Sequence, residues 1–170
     1  MYEYTNEAHT QIRRLSDGAS IPAVGGNRDY REAMEWIELG NVITPWTAPP
    51  KTSGDVNKER DRRMEVFTFG GKEYAIRSSD GSLANVSGAG TLALGAIVNG
   101  AQQNDLRWAD PNADFTWIAE DNTIVTMDAQ TTWAFAQTAA AWRKSMIYKA
   151  RAIKDLETIP TDYKNNSHWE

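Results

Sequence analysis

The residues best suited to bind a metal ion are Asp110, Asn112 and Asp114, whose side-chain oxygens alternate along the chain. A calcium-binding loop has oxygen ligands at alternate positions, a glycine at its sixth position and a glutamate at its twelfth. Counted from Asp110, the sixth position is Phe115 and the twelfth is Asp121. Because the glycine that makes the sharp turn is missing, the pattern favours a polar surface loop. We expect neither a metal nor a cofactor.

Residues that could perform catalysis do not form a recognisable constellation. His9 and His168 lie near opposite ends of the sequence and have no acidic or serine partner at motif spacing. The glycine pairs at 25–26 and 70–71 lack the lysine and the strand-to-helix setting of a phosphate-binding loop. Acidic residues occur in turns and charged segments, not as the acid–base pair of a hydrolase or depolymerase. We therefore expect no catalytic residues and no enzyme activity.

Composition excludes several classes of partner. The chain has 18 Lys and Arg against 23 Asp and Glu, a net charge of -5, whereas a general nucleic-acid binder needs a clustered basic face. It has no cysteine, which excludes disulfides, iron–sulfur clusters and thiolate zinc sites. No stretch has the roughly 20 apolar residues of a membrane span, and the first residues do not read as a signal peptide. We expect a cytosolic protein without nucleic-acid or membrane partners.

The longest helix predicted from the sequence is the last one. Asp128 caps it, and it runs from Ala129 to about Thr158, where Pro160 stops it. Apolar residues recur on it at nearly alternating steps of four and three, the spacing of a coiled-coil seam. The seam consists of Phe135, Ala139, Trp142, Met146, Ile153 and Leu156. A second face carries Trp133, Ala136, Ala140 and Ile147.

Two apolar faces on one helix require two partners. One partner is the hairpin layer of the same chain. The other is the same helix of a sister chain, and the alternative is that both faces pack inside one subunit.

The first 64 residues predict a small module, a linker and a charged helix. Residues 10–15 form a short strand, and Asn27 caps a helix that ends at Gly40. The prolines in 45–56 predict an extended linker, and the dense charges in 57–64 predict a solvated helix. The domains are then 1–44, an amino-terminal docking module; 45–56, the linker; and 57–170, a domain to which we assign oligomerisation.

Two hairpins and two helices account for the rest of the chain. Gly70-Gly71 forms the turn of a hairpin over 64–77, and a second hairpin spans 115–127. Between them, 82–103 predicts a helix whose glycines weaken it and indicate close approach of a neighbouring helix. The predicted class is α+β. It comprises a strand–helix module, a proline-rich linker, two short β-hairpins packed with helices, and a long carboxyl-terminal helix.

Three segments near the start form a recognisable set: Asp17-Gly18-Ala19-Ser20-Ile21-Pro22, Asn27-Arg28-Asp29-Tyr30 and Trp36-Ile37-Glu38-Leu39-Gly40-Asn41. Together they resemble the amino-terminal module of bacteriophage tail-fibre and tail-assembly proteins. Later come the hairpin with Phe67-Thr68-Phe69-Gly70-Gly71, the Asp121-Asn122 turn, Val125-Thr126-Met127-Asp128 and the long alanine-rich helix. This part is similar to an uncharacterised domain common at the carboxyl end of phage tail proteins.

This resemblance implies a non-enzymatic structural component of a phage tail, in a fibre or attached to the baseplate. The alternative is a tail-fibre assembly chaperone that is absent from the mature virion. The implied partners are other phage tail proteins and further copies of the chain, as a trimer in the threefold case. The implied location is the virion tail, after assembly in the host bacterial cytoplasm.

Aromatic and seam residues are the candidates for contacts with partners. Trp46 lies in the linker, where it either anchors a partner or folds back on residues 30–37. The predicted interface residues are Tyr30, Trp36, Trp46, Phe135, Trp142, Met146, Ile153 and Leu156.

Overall fold

The computed structural model describes Met1–Glu170 and confirms the α+β class. Four α-helices accompany three small antiparallel sheets, and a short 3-10 helix, Asn166–His168, lies near the carboxyl end. The chain forms two compact units, Met1–Pro50 and Lys51–Glu170. None of the helices combines the length and the apolar character needed to cross a membrane.

The first unit is a three-stranded sheet with one helix. Its strands are β1, Tyr2–Tyr4; β2, Gln11–Arg14; and β3, Ser20–Pro22, paired in that order. Helix α1 spans Arg28–Glu38. Ile12 and Ile21 face each other across β2 and β3, and both are buried with Ala33 of α1.

Local signals predicted α1 correctly. The side chain of Asn27 accepts a hydrogen bond from the backbone N–H of Tyr30 at 3.1 Å, which is the expected cap. Gly40 follows the helix with a φ of 89°, the left-handed conformation that glycine tolerates. Strand β1 was not predicted, because its three residues depend on pairing with distant Thr44 as well as with β2.

The second unit begins with α2, Ser53–Arg63. Thr52 and Asp55 form a reciprocal capping box, so residues 53–56, which were predicted to belong to the linker, are helical. The helix is also not solvated all round, because Val56 is fully buried and Glu59 is only 5% exposed.

Two hairpins follow the predicted order. The first joins β4, Val66–Phe69, to β5, Lys72–Ala75, and both turn glycines have positive φ. The second joins β6, Thr116–Ile118, to β7, Ile124–Thr126.

The two longest helices pack against each other. Helix α3 spans Ser82–Val98 and α4 spans Ala129–Lys154, so each ends a few residues earlier than predicted. A Cβ atom on Gly90 would lie 2.4 Å from Cβ of Ala136, so the expected close approach occurs at this glycine. Gly88 and Gly95 have open space around them.

Two apolar cores hold the second unit together. In the first, the ring of Phe135 lies 5.0 Å from that of Phe67 and 4.9 Å from that of Tyr74, which joins α4 to the first hairpin. The second core joins α2, α4 and residues 155–170, which we call the C-terminal segment. It contains Val56, Met64, Met146, Ala150, Ile153, Tyr163 and Trp169.

Candidate interaction surfaces

The predicted seam of α4 lies in the interior of the second unit. Phe135 and Met146 are fully buried and Ile153 is 4% exposed. The hairpins cover Phe135, and α2 with the C-terminal segment covers the side chains of Met146 and Ile153. Because the same chain covers this face, these three are core residues of one subunit, and the interface role predicted for them is incompatible with their burial.

The other two candidates on this side differ from each other. Trp142 is half-buried, and its indole N–H donates to the carbonyl of Arg63 at 3.2 Å, so it joins α4 to α2. Leu156 follows α4 and is 50% exposed. Of the five seam candidates, Leu156 is therefore the most exposed.

The candidates in the first unit are half-buried. Tyr30 and Trp36 pack against the core of that unit, where the ring of Trp36 meets Tyr2 edge-on at 5.3 Å. Trp46 lines a cleft of about 490 Å³ together with Tyr4 and Arg13. None of residues 30–37 lines this cleft, so Trp46 borders β1 and β2 there.

Sequence reasoning did not find the groove between α3 and α4, which we call the α3–α4 groove. It has a volume of about 370 Å³. Its apolar wall includes Leu83, Ala140, Ile147 and Tyr148, of which Ile147 is 48% and Tyr148 66% exposed. The second apolar face predicted for α4 is thus only partly covered by its own chain.

Helix α3 carries further exposed apolar side chains. Ser82–Val98 contains no charged residue, and Leu92, Leu94 and Val98 are exposed on it. A helix that is apolar all round is normally covered on every side, whereas here only one side packs on α4. The lack of charge was the sequence signal that could have revealed this surface.

The edge of the α3–α4 groove is positive. Five basic residues and no acidic ones lie on α4. Lys149, Arg151 and Lys154 bond to Trp169, Asp155 and Asn57, respectively. Arg143 and Lys144, which line the groove, form no ion pair.

The last turn of α1 has the opposite character, and we call it the acidic end of α1. Glu35 and Glu38 form no ion pair. Beside them, Leu39 is 82% and Val42 76% exposed. Carboxylates near a helix carboxyl terminus are unfavourable because the helix dipole is negative there. A cation from outside the unit would relieve this charge.

One charged cluster binds the C-terminal segment to α2. The buried carboxylate of Glu59 accepts hydrogen bonds from Arg62 and Arg63 at 2.6 and 2.7 Å. These bonds hold the pKa of Glu59 below its usual range, although burial opposes them. Arg63 also donates to the carbonyl of Lys164 at 2.7 Å and lies over the ring of Trp169.

The residues first considered for chemistry have local structural partners. Asp110 accepts from the backbone N–H of Asn112 at 2.8 Å, and Asp114 pairs with Arg107 at 3.2 Å, which makes this segment a closed surface turn. His9 stacks on Tyr4, and His168 lies 3.2 Å from Asp162, an acidic partner that was not expected from the sequence. No group of three or more His, Asp or Glu side chains is close enough to hold a metal ion.

Comparison with known families gives one match. A family model described as "Domain of unknown function (DUF4376)" matches residues 47–165, which is more than half of the chain and most of the second unit. No curated protein and no solved structure matches the chain.

Proposed function

The chain belongs to the DUF4376 family, and we propose that it is a non-enzymatic structural component of a bacteriophage tail, in a fibre or attached to the baseplate. The tail context comes from the resemblance of the segments around Asp17–Pro22, Asn27–Tyr30 and Trp36–Asn41 to a phage tail module. The observation that carries the structural role is the exposed apolar surface of α3 and the α3–α4 groove.

The energetics of this surface favour a permanent partner. Complete burial of one leucine or valine side chain contributes about 1.5–3 kcal/mol. Leu92 and Val98 are more than half exposed on a helix without charge, and Ile147 and Tyr148 line the α3–α4 groove. Apolar surface that stays exposed in the isolated chain is typical of contact sites between proteins.

The proposed partners are other phage tail proteins and further copies of this chain, with a trimer as the threefold case. The proposed location is the virion tail, reached after assembly in the host cytoplasm. In this role the first unit docks onto a partner, and the second unit supplies the groove that receives another subunit.

Quantitative mass spectrometry of purified virions tests the proposal. A structural component is present at a fixed number of copies for each tail, because it stays in the particle. An assembly chaperone is abundant in the infected-cell lysate and absent from the virions, and that result would reject the structural role. The tail tube protein of the same sample provides the internal standard for copy number.

A further inference from the structure

We propose that the acidic end of α1 in one copy binds the α3–α4 groove of a second copy. This inference deepens the proposed function, on which it rests, by naming the surfaces that join the copies. The two surfaces belong to different units, so the contact is made by two unlike patches.

The groove side of the contact supplies apolar surface and positive charge. Ile147 and Tyr148 present half-exposed side chains, and Arg143 and Lys144 line the groove with them. The ammonium of Lys144 lies 6.0 Å from the centre of the Tyr148 ring, whereas the guanidinium of Arg143 donates to the carbonyl of Ile76 at 3.4 Å. No acidic residue lies on α3 or α4 to neutralise these cations. The groove therefore selects a partner that is apolar and acidic.

The α1 side supplies that combination. Glu35, Glu38 and Leu39 are spaced i, i+3 and i+4, which places them on one face at the end of the helix. Val42 adds a second exposed aliphatic side chain just beyond Gly40. Docking against Arg143 and Lys144 would place cations next to carboxylates that the helix dipole disfavours.

Charge disfavours the symmetric alternative in which two α3–α4 grooves face each other. That arrangement would place Arg143 and Lys144 of both copies in one interface, with no acidic residue of α3 or α4 to balance them. A contact between unlike patches leaves each copy with one used groove and one used α1. Repetition of such a contact closes a ring, such as a trimer, or extends an open array.

Sedimentation velocity of the full-length chain, with charge-reversed variants, tests the contact. We expect the unaltered chain to sediment as more than one copy. We expect Arg143→Glu with Lys144→Glu, and separately Glu35→Lys with Glu38→Lys, to weaken association by at least about a hundredfold. The variant with all four changes restores the attraction with the charges exchanged, and we expect it to regain the mass of the unaltered chain.

Two controls keep the test decisive. Lys51→Glu with Lys58→Glu makes the same change in net charge at exposed positions outside both patches, and it should leave association unchanged. Lys144→Glu alone, at an exposed side chain, should weaken association without affecting the far-ultraviolet circular dichroism of the fold.

Three results would overturn the inference. They are a single-copy mass for the unaltered chain at every concentration, full association of either charge-reversed double variant, and failure of the fourfold variant to reassociate. The first result would mean that another protein occupies the groove, and the last that the two patches do not contact each other. None of them depends on whether the chain is found in virions, so the failure of this contact and the failure of the tail role are distinguishable.

Discussion

Helix α4 has two flanks, and the chain covers only one of them. On the flank toward α2, the C-terminal segment packs Tyr163 and Trp169 against Met146, and both aromatic side chains are buried. On the flank toward α3, Ile147 and Tyr148 stay largely exposed. The first flank therefore stabilises the subunit, and the second is the one to which we assign the proposed contacts.

The charges on the two flanks differ in the same way. On the flank toward α2 and the C-terminal segment, Lys149 donates to the carbonyl of Trp169 at 2.6 Å and Lys154 to the amide oxygen of Asn57 at 2.9 Å. Toward α3, Arg143 and Lys144 form no ion pair, and Arg143 donates to the carbonyl of Ile76 at 3.4 Å. Both cations are therefore available to pair with carboxylates of another subunit.

The largest effect should come from uncovering the covered flank. Trp169→Ala removes a side chain that is 3% exposed and whose indole N–H donates to the carbonyl of Tyr163. We expect a loss of about 3–5 kcal/mol in the free energy of unfolding, measured by urea denaturation. Leu156→Ala, at an exposed position, is the control and should change it by less than about 0.5 kcal/mol. A small loss of unfolding free energy for Trp169→Ala would mean that the C-terminal segment is not part of the core.

The floor of the open flank is tested by two glycines of α3. Gly90→Ala places a Cβ atom 2.4 Å from Ala136 and should cost about 1–3 kcal/mol, because α3 must move away from α4. Gly88→Ala meets no atom within 4 Å and should stabilise the chain by up to about 1 kcal/mol. Thermal unfolding of the two variants compares them directly. Equal effects would show that α3 and α4 do not approach closely at residue 90.

The charged cluster of Glu59 with Arg62 and Arg63, which binds the C-terminal segment, gives a pH-dependent prediction. The pKa of Glu59 is lower in the folded chain than its unfolded value of about 4.3, so its contribution is present above that value and is lost as pH falls through the folded pKa. Glu59→Gln should cost about 1.5 kcal/mol at neutral pH and flatten the acid limb of the stability profile. Asp61→Asn, at an exposed ion pair, should change neither measurably. An unchanged acid limb in the Glu59 variant would contradict this role.

The smallest effect on stability should come from the open flank. Tyr148→Ser alters a side chain that is 66% exposed and should change the free energy of unfolding of the single chain by less than about 0.5 kcal/mol. The same variant should weaken self-association, since Tyr148 lines the α3–α4 groove. A large loss of stability with unchanged association would reverse the roles that we assign to the two flanks.

Elements set by local chemistry could be predicted from the sequence. Asn27 and Asp128 cap their helices as expected, and Gly70-Gly71 forms the expected turn, because each depends on neighbouring residues only. The first turn of α2 was missed because the prolines before it suggested a longer linker. The coarse class followed from these local signals.

The contact surfaces could not be predicted in the same way. The apolar spacing of Phe135, Met146 and Ile153 shows that a face of α4 is buried, but spacing does not identify what covers it. The C-terminal segment covers part of that face through Trp169, which is distant in sequence. Prediction of the α3–α4 groove requires the relative position of two helices, although the absence of charge in α3 indicates an unusual apolar helix.

Thiol protection in assembled particles tests the central claim, that another subunit covers the α3–α4 groove, most directly. The chain has no cysteine, so Ile147→Cys and Asn112→Cys each introduce a single thiol, the first in the groove and the second on an exposed turn. Maleimide labelling is compared between the isolated dilute chain and purified tails. The account predicts that assembly protects the thiol at position 147 at least about tenfold while position 112 stays reactive. Equal labelling of both positions in purified tails would contradict it.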